Sequence, residues 1–352
     1  MTDLDDVQGL HAIDASDMLG IIAGLASQCR VGYDVGRNVR PVPAIDGLTA
    51  VTFCGMGGSA VAGDVLRSVF RGQLTVPVDV NRSPELPRSC NAATLVIAAS
   101  YSGNTAETLD AFEQALERGC RVMALTSGGR LAEIADASAV PVVRVPGGLM
   151  PRAALGYLAF GLLGALEAAG LLSSLASDVD EVVDRVDEAV RALGPDVPTS
   201  DNAAKALALR IGERVPVVWG AEGLAAVAAN RWRTQFNENA KVPAFSAAMP
   251  ELDHNEVVGW SDGRGEGFFL VALRHDAEHP DVAARFPLSL EIARDAGVEI
   301  TEVQASGRSD LARLMSLVVI GDHASTYLGI ARGVDPSPIE AIARLKAALA
   351  EP

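Results

Sequence analysis

Two short loops in the first half of the chain carry residue types able to hold an anion. Val51 to Asp64 reads VTFCGMGGSAVAGD, an apolar run followed by Gly55, Gly57 and Gly58, with Ser59 opening a helical pattern. Such a turn lets backbone N–H groups face an anion at the positive end of a helix dipole. Ser100, Tyr101, Ser102, Gly103, Asn104 and Thr105 form a second loop, again between an apolar run and a helical pattern. The hydroxyls of Ser100, Ser102 and Thr105 can donate to several oxygens of one phosphate group.

Each loop also has a plainer reading. The glycines could serve only a tight strand-to-helix turn, and Ser102 and Thr105 could be simple helix caps. Gly55, Gly57 and Ala60 also fit G-x-G-x-x-G/A, with Asp79 near the next strand, as a dinucleotide fold requires. A dinucleotide would leave the serine-rich loop without a task.

Taken together, GMGGS and SYSGNTAET resemble the paired loops of the sugar isomerase (SIS) domain. That resemblance implies a phosphosugar ligand, its phosphate lying against Gly57, Gly58, Ser59, Ser100, Ser102 and Thr105.

The second half concentrates carboxylates, amides, a lysine and a histidine in Arg231 to Glu256, RWRTQFNENAKVPAFSAAMPELDHNE. Proton transfer between adjacent sugar carbons needs a carboxylate base, an acid/base to open the ring and a cation facing the enediolate oxygens. Glu, His and Arg suit those tasks.

NENAK, PELDHNE, PRAALGY at 151–157 and GDHASTYLGIARGVDPSPIEAIARLK at 321–346 resemble the bifunctional phosphoglucose/phosphomannose isomerase family over nearly the whole chain. The resemblance implies that Glu238 moves the proton between C1 and C2 and that His254, supplied by the second subunit, opens the ring. By the same resemblance Arg152 stabilises the enediolate and Lys346 reaches the open-chain sugar. The sequence departs from the family pattern in having one proline before Arg152 and Asp253 where Asn is frequent.

His275 to His279, HDAEH, has the form of a zinc-peptidase string, but it follows an apolar strand and precedes Pro280, so a loop is expected. The chemistry is therefore expected to need no metal and no cofactor.

These residues require a scaffold of alternating strands and helices. In the first half, strands are predicted at 48–54, 94–99, 121–126 and 140–145, with helices at 60–70, 105–118 and 131–137. In the second half the pattern restarts: strands at 215–219, 267–273 and 299–303, helices at 221–236, 288–296 and 310–332. A leading helix is expected over 14–28, an apolar buried helix over 153–172, and a charged one over 178–193. The fold class is α/β, with two SIS-type domains, each a parallel sheet flanked by helices on both faces. Residues 1–155 form the leading helix and first domain, 156–200 a helical connection, and 201–352 the second domain with its C-terminal helix.

At 352 residues with 49% hydrophobic and 21% charged side chains, the chain can bury two cores. Its formal charge of -16 disfavours nucleic acid, and the acidic N-terminus is unlike a secretory signal. The four cysteines lack a C-x-x-C pair and read as reduced packing residues. A cytoplasmic homodimer without membrane or nucleic-acid partners is expected, working as an aldose–ketose isomerase on fructose, glucose and/or mannose 6-phosphate. Two alternatives stay open: a non-catalytic SIS regulatory protein that binds sugar phosphate, and an isomerase of another phosphosugar.

Overall fold

The computed structural model describes residues 2–350, the side chains of Ala347 and Ala350 aside; Met1 and residues 351–352, the ends of the expected first and last segments, lie outside the described residues. The first elements are helices α1 (Val7–Ile13), α2 (Met18–Ala23) and α3 (Leu25–Arg37). They replace the single helix expected over 14–28. Asp14 ends α1, and its carboxylate accepts the N–H groups of Met18 at 2.8 Å and Leu19 at 2.9 Å, which starts α2 afresh.

Next come β1 (Ala50–Gly55), α4 (Gly57–Val69), β2 (Val78–Asn81), β3 (Thr94–Ala99), α5 (Ala106–Glu117), β4 (Arg121–Thr126), α6 (Gly129–Ala137) and β5 (Val142–Arg144). A 3-10 turn at Pro151–Ala153 precedes α7 (Leu155–Ala168) and α8 (Ala176–Leu193). The chain continues with α9 (Ala203–Ile211), β6 (Val215–Ala221), α10 (Leu224–Asn239) and β7 (Phe245–Met249). After 3-10 turns at Glu251–His254 and Glu256–Trp260 come β8 (Phe268–Arg274), α11 (Pro280–Ala283), α12 (Arg285–Asp295), β9 (Glu299–Gln304), α13 (Asp310–Ala331) and α14 (Glu340–Ala350).

These elements form two compact units. One comprises Gly24–Asp187 with Gly307–Met315; the other comprises Met1–Ala23, Glu188–Ser306 and Ser316–Pro352.

The first unit holds a parallel sheet in the order β2-β1-β3-β4-β5. Its central strand β3, TLVIAA, is buried along its whole length, as a strand covered on both faces must be. Helices α3 and α7 cross at small residues: a Cβ on Gly32 would stand 2.8 Å from the Tyr157 carbonyl oxygen, and one on Gly36 would strike the Gly161 carbonyl. Glycine is needed at both places for the backbones to approach this closely.

The second unit holds a parallel sheet in the order β7-β6-β8-β9. Counted within its own unit, this is second, first, third, fourth, the order in which the first sheet also begins. Strand β7, FSAAM, was not expected from the sequence: its alanines carry a weak strand signal, and only its pairing with β6 defines it.

Helix α13 is long and apolar enough to cross a membrane, but 94% of its apolar window is buried within the protein. A helix that is apolar all round and buried in this way is a core helix.

Candidate functional site

The order of the first sheet decides where a ligand can enter. Strand β1 connects outward to β2, whereas β3 leads the other way to β4 and β5, so the chain reverses direction between β1 and β3. Parallel α/β sheets bind ligands outside the carboxyl ends of their strands at such a reversal. Gly55 and Ala99 are the last paired residues of β1 and β3, and both anion-type loops begin immediately after them. A Cβ on Gly55 would stand 3.0 Å from the Ala99 carbonyl oxygen, so this edge tolerates little more than glycine.

Helix α4 starts at Gly57, earlier than the expected residue 60, which puts Gly57, Gly58 and Ser59 in its first turn. Neither Met56, the N-cap of α4, nor Thr105, the N-cap of α5, makes a side-chain capping hydrogen bond. The Ser59 and Thr108 N–H groups bond back to the Met56 and Thr105 carbonyls at 3.1 Å, and no N-cap side chain competes with an anion for the N–H groups before them. The capping role considered for Thr105 gives way to a different one: its hydroxyl lies 2.8 Å from that of Ser100. Ser102 is exposed and accepts the Asn104 N–H at 3.3 Å within its own turn. Ser59 and Ser100 are buried, and the Ser59 Oγ accepts the Tyr101 N–H at 3.2 Å, tying the two loops together.

Arg152 belongs to the same unit and is only 3% exposed. It sits in the 3-10 turn before α7, and a Cβ on Gly58 would come within 2.8 Å of the Arg152 Cα. Gly58 therefore allows the backbone carrying Arg152 to touch the start of α4.

Asp79 is not placed for a dinucleotide ribose. It pairs with Thr52 in the middle of β2, two residues before the strand's end, whereas the acidic residue of a dinucleotide fold stands at the strand's carboxyl end.

Glu238 lies in the second unit. The expected helix 221–236 runs instead over Leu224–Asn239, so Glu238 is in the last turn of α10 and half-buried. Beside it is a cavity of about 690 Å³ whose walls include Asn237, Glu238, Lys241, Asp335 and Ile339. The end of α10 is fixed against α13 by a buried polar network. Asn239 Nδ2 donates to Ser325 Oγ at 3.0 Å, and Arg231 makes two bonds to Asp322, of 3.0 and 2.6 Å. Gly329 lets the helices meet, since a Cβ there would stand 2.6 Å from the Asn239 carbonyl oxygen. Lys241, at φ 56°, turns back to donate its Nζ to the Glu238 carbonyl at 2.6 Å and the Pro336 carbonyl at 2.9 Å.

His254 is exposed at the end of a 3-10 turn and is not among the residues lining that cavity. Its neighbour Asp253 accepts from Ser289 Oγ at 2.6 Å and faces Arg285 Nη1 at 3.4 Å, which pins the turn to α12. Lys346 is exposed on α14, whose first residues, Glu340 to Ile342, form one wall of the cavity.

The HDAEH string is the loop between β8 and α11. Glu278 is held by the Arg274 guanidinium at 2.8 Å and by the His275 N–H at 2.9 Å, while His279 caps α11. Among the described residues, no group of three or more His, Cys, Asp or Glu side chains is placed to hold a metal ion.

Two lobes of one parallel topology, the first with an anion cradle at its strand reversal, define a double SIS-domain protein. Residues 50–138 match the SIS domain model, and residues 200–349 match the bacterial phospho-glucose isomerase C-terminal SIS domain. The bifunctional phosphoglucose/phosphomannose isomerase of Caldicellulosiruptor bescii is 36% identical over 95% of this chain and 99% of its own length. That of Thermoplasma acidophilum is 35% identical over 84% and 88%. The chain belongs to the bifunctional phosphoglucose/phosphomannose isomerase family. In fold it is also similar to tagatose-6-phosphate ketose/aldose isomerase from Escherichia coli, with a TM-score of 0.69 at 15% identity over 93% of this chain and 94% of that one.

Proposed function

We propose that the chain interconverts fructose 6-phosphate with glucose 6-phosphate and/or mannose 6-phosphate through an enediol, without a metal ion. The observation that carries this reading is the pair of helix starts without side-chain caps, α4 and α5, side by side at the β1/β3 reversal with hydroxyls between them. In this reading the phosphate takes backbone N–H groups near Gly57 and Gly58 and the hydroxyls of Ser59, Ser100, Ser102 and Thr105. The remaining roles are supported by the resemblance of the motifs around Glu238, Arg152, His254 and Lys346 to this family.

Glu238 removes the proton from one of C1 and C2 and returns it to the other. Arg152 offsets the charge that develops on the enediolate oxygens, where a fixed cation away from bulk water is most effective. His254 of the partner subunit opens the ring in a homodimer, and Lys346 contacts the open-chain sugar. The exposure of His254, outside the cavity beside Glu238, favours its use by another molecule. The protein works in the cytoplasm.

The test is a coupled assay with glucose 6-phosphate and with mannose 6-phosphate in the presence of a chelator. Glu238→Gln should lower kcat by about 10²- to 10⁴-fold, the usual contribution of a positioned base. Full activity in that variant, or complete loss of wild-type activity with chelator, would overturn the mechanism.

A further inference from the structure

Tyr101 engages every polar atom it has, and each bond leads to a different part of the first unit's strand-end edge. Its N–H donates to Ser59 Oγ at 3.2 Å, in the first anion loop. Its carbonyl accepts from the Ser127 N–H at 3.0 Å and the Ser127 hydroxyl at 2.6 Å, just beyond β4. Its phenol donates to the Pro146 carbonyl at 2.8 Å and accepts the Leu149 N–H at 3.1 Å. The ring itself is buried, and burial raises the phenol above its ordinary range, so it remains a neutral donor.

The segment held by the phenol leads directly to Arg152. Between Pro146 and Leu149 stand Gly147 and Gly148, the latter at φ 96°, and such a pair adopts many conformations unless it is tethered. The tether comes from a residue lying between Ser100 and Ser102. The stretch ends at Arg152, whose backbone rests on Gly58. Thus the turn carrying the cation is referred at both ends to the two anion loops.

We propose that Tyr101 is a positioning residue for Arg152: through its phenol it sets the guanidinium-bearing turn in a fixed place relative to the phosphate loops. The inference rests on the enediolate role given to Arg152 above. Tyr101 touches neither phosphate nor sugar in this account. Its contribution is to the alignment of the cation with the reacting carbons once the phosphate is held.

Tyr101→Phe keeps the ring and removes only the tether. Misplacement of a catalytic group by about an ångström costs on the order of a hundredfold in rate, so Tyr101→Phe should lower kcat by about ten- to a hundredfold. KM and inhibition by inorganic phosphate should stay unchanged, because the loops keep their donors. In an Arg152→Gln background the same change should cost nothing further, since two residues acting through one interaction are not additive. Equal loss in both backgrounds, a raised KM with weaker phosphate inhibition, or wild-type kcat in Tyr101→Phe would each overturn the proposal.

Amide hydrogen exchange of the unliganded protein separates this from the role of Arg152. If Arg152→Gln keeps wild-type kcat, the enediolate role falls, but faster exchange at Leu149 to Ala153 in Tyr101→Phe still establishes the tether. Unchanged exchange there overturns the positioning claim whatever the kinetics.

Discussion

The hydroxyls of Ser100 and Thr105 stand 2.8 Å apart, one at the end of β3 and the other at the N-cap of α5. Two hydroxyls carry two hydrogens, and only one is used between them. Ser100 is buried at 1% exposure while Thr105 is half-buried, so whichever hydroxyl donates between them, Thr105 is the better placed of the two to meet a ligand directly. In the phosphate site proposed above, which both hydroxyls line, Thr105 is then the more direct contact and Ser100 the supporting one.

Thr105→Val should therefore raise KM for fructose 6-phosphate and the inhibition constant of inorganic phosphate by roughly tenfold or more, the value of a hydrogen bond to a charged acceptor. Ser100→Ala should have the smaller effect, and the double variant should cost less than the product of the two. Steady-state kinetics with phosphate inhibition measures all three. A larger effect at Ser100 than at Thr105 would mean that Ser100 is the more direct contact.

Gly58 allows the Arg152 turn to touch α4. An added methyl would lie 2.8 Å from the Arg152 Cα and 2.9 Å from its N, distances at which one backbone must move. Gly58→Ala should lower kcat by about ten- to a hundredfold, the cost of displacing a catalytic group by a fraction of a residue. Alanine also favours the helix, so the thermal midpoint should change little. Comparing kcat with the midpoint checks this: a large fall in stability with kcat per folded molecule intact would rule out the positional explanation.

The candidate residues of each unit are legible in the sequence because they lie in contiguous strings. The loops at 55–59 and 100–105 follow strands whose apolar runs are unmistakable, and Glu238, Arg152 and His254 lie in motifs of their own. What escaped the sequence depends on tertiary contact. The helical pattern over 221–236 stops at Asn237-Glu238-Asn239 because three polar residues look like a helix end. Yet Asn239 is fully buried, its amide satisfied by Ser325 on a helix far along the chain, so α10 continues through Glu238. Tyr101 looked like one polar loop residue among several; its reach to Pro146 and Leu149 has no local signature. Strand β2 is only four residues long, and β7 is mostly alanine and serine, so neither announces itself by periodicity.

The ion pair Arg231–Asp322 is a buried one, with Gln235 Nε2 also donating to Asp322 at 3.0 Å. Removing one partner leaves a charge stranded away from water, which costs about 3–5 kcal/mol. Arg231→Met should lose stability on that scale in a urea titration, seen as a lower midpoint at unchanged slope. Arg231→Met combined with Asp322→Leu should recover a large part of the loss, because an apolar pair of similar volume incurs no such desolvation. The network ends at Asn239, next to Glu238, so the single variant should also lose kcat. A double variant no more stable than the single would show that packing, not the stranded charge, sets the cost.

His323 supplies a pH dependence of stability. It is fully buried on α13, its Nδ1 lies 2.8 Å from the Val319 carbonyl, and that oxygen can only accept, so Nδ1 carries the hydrogen. Burial lowers its pKa below the ordinary 6.5, against smaller upward contributions from the Val319 carbonyl and Asp322. A histidine depressed in the folded state binds its proton more readily when unfolded. Its contribution to stability is therefore fully present above the unfolded value and is lost as pH falls from there through the folded one. The thermal midpoint should fall between about pH 7.5 and about pH 5, the range over which an unfolded histidine titrates. His323→Gln, which retains a donor without the titration, should be less stable at the upper pH but show a flatter dependence. The decisive quantity is the difference between the two midpoint curves: if they run parallel across this range, the protonation of His323 is not coupled to unfolding.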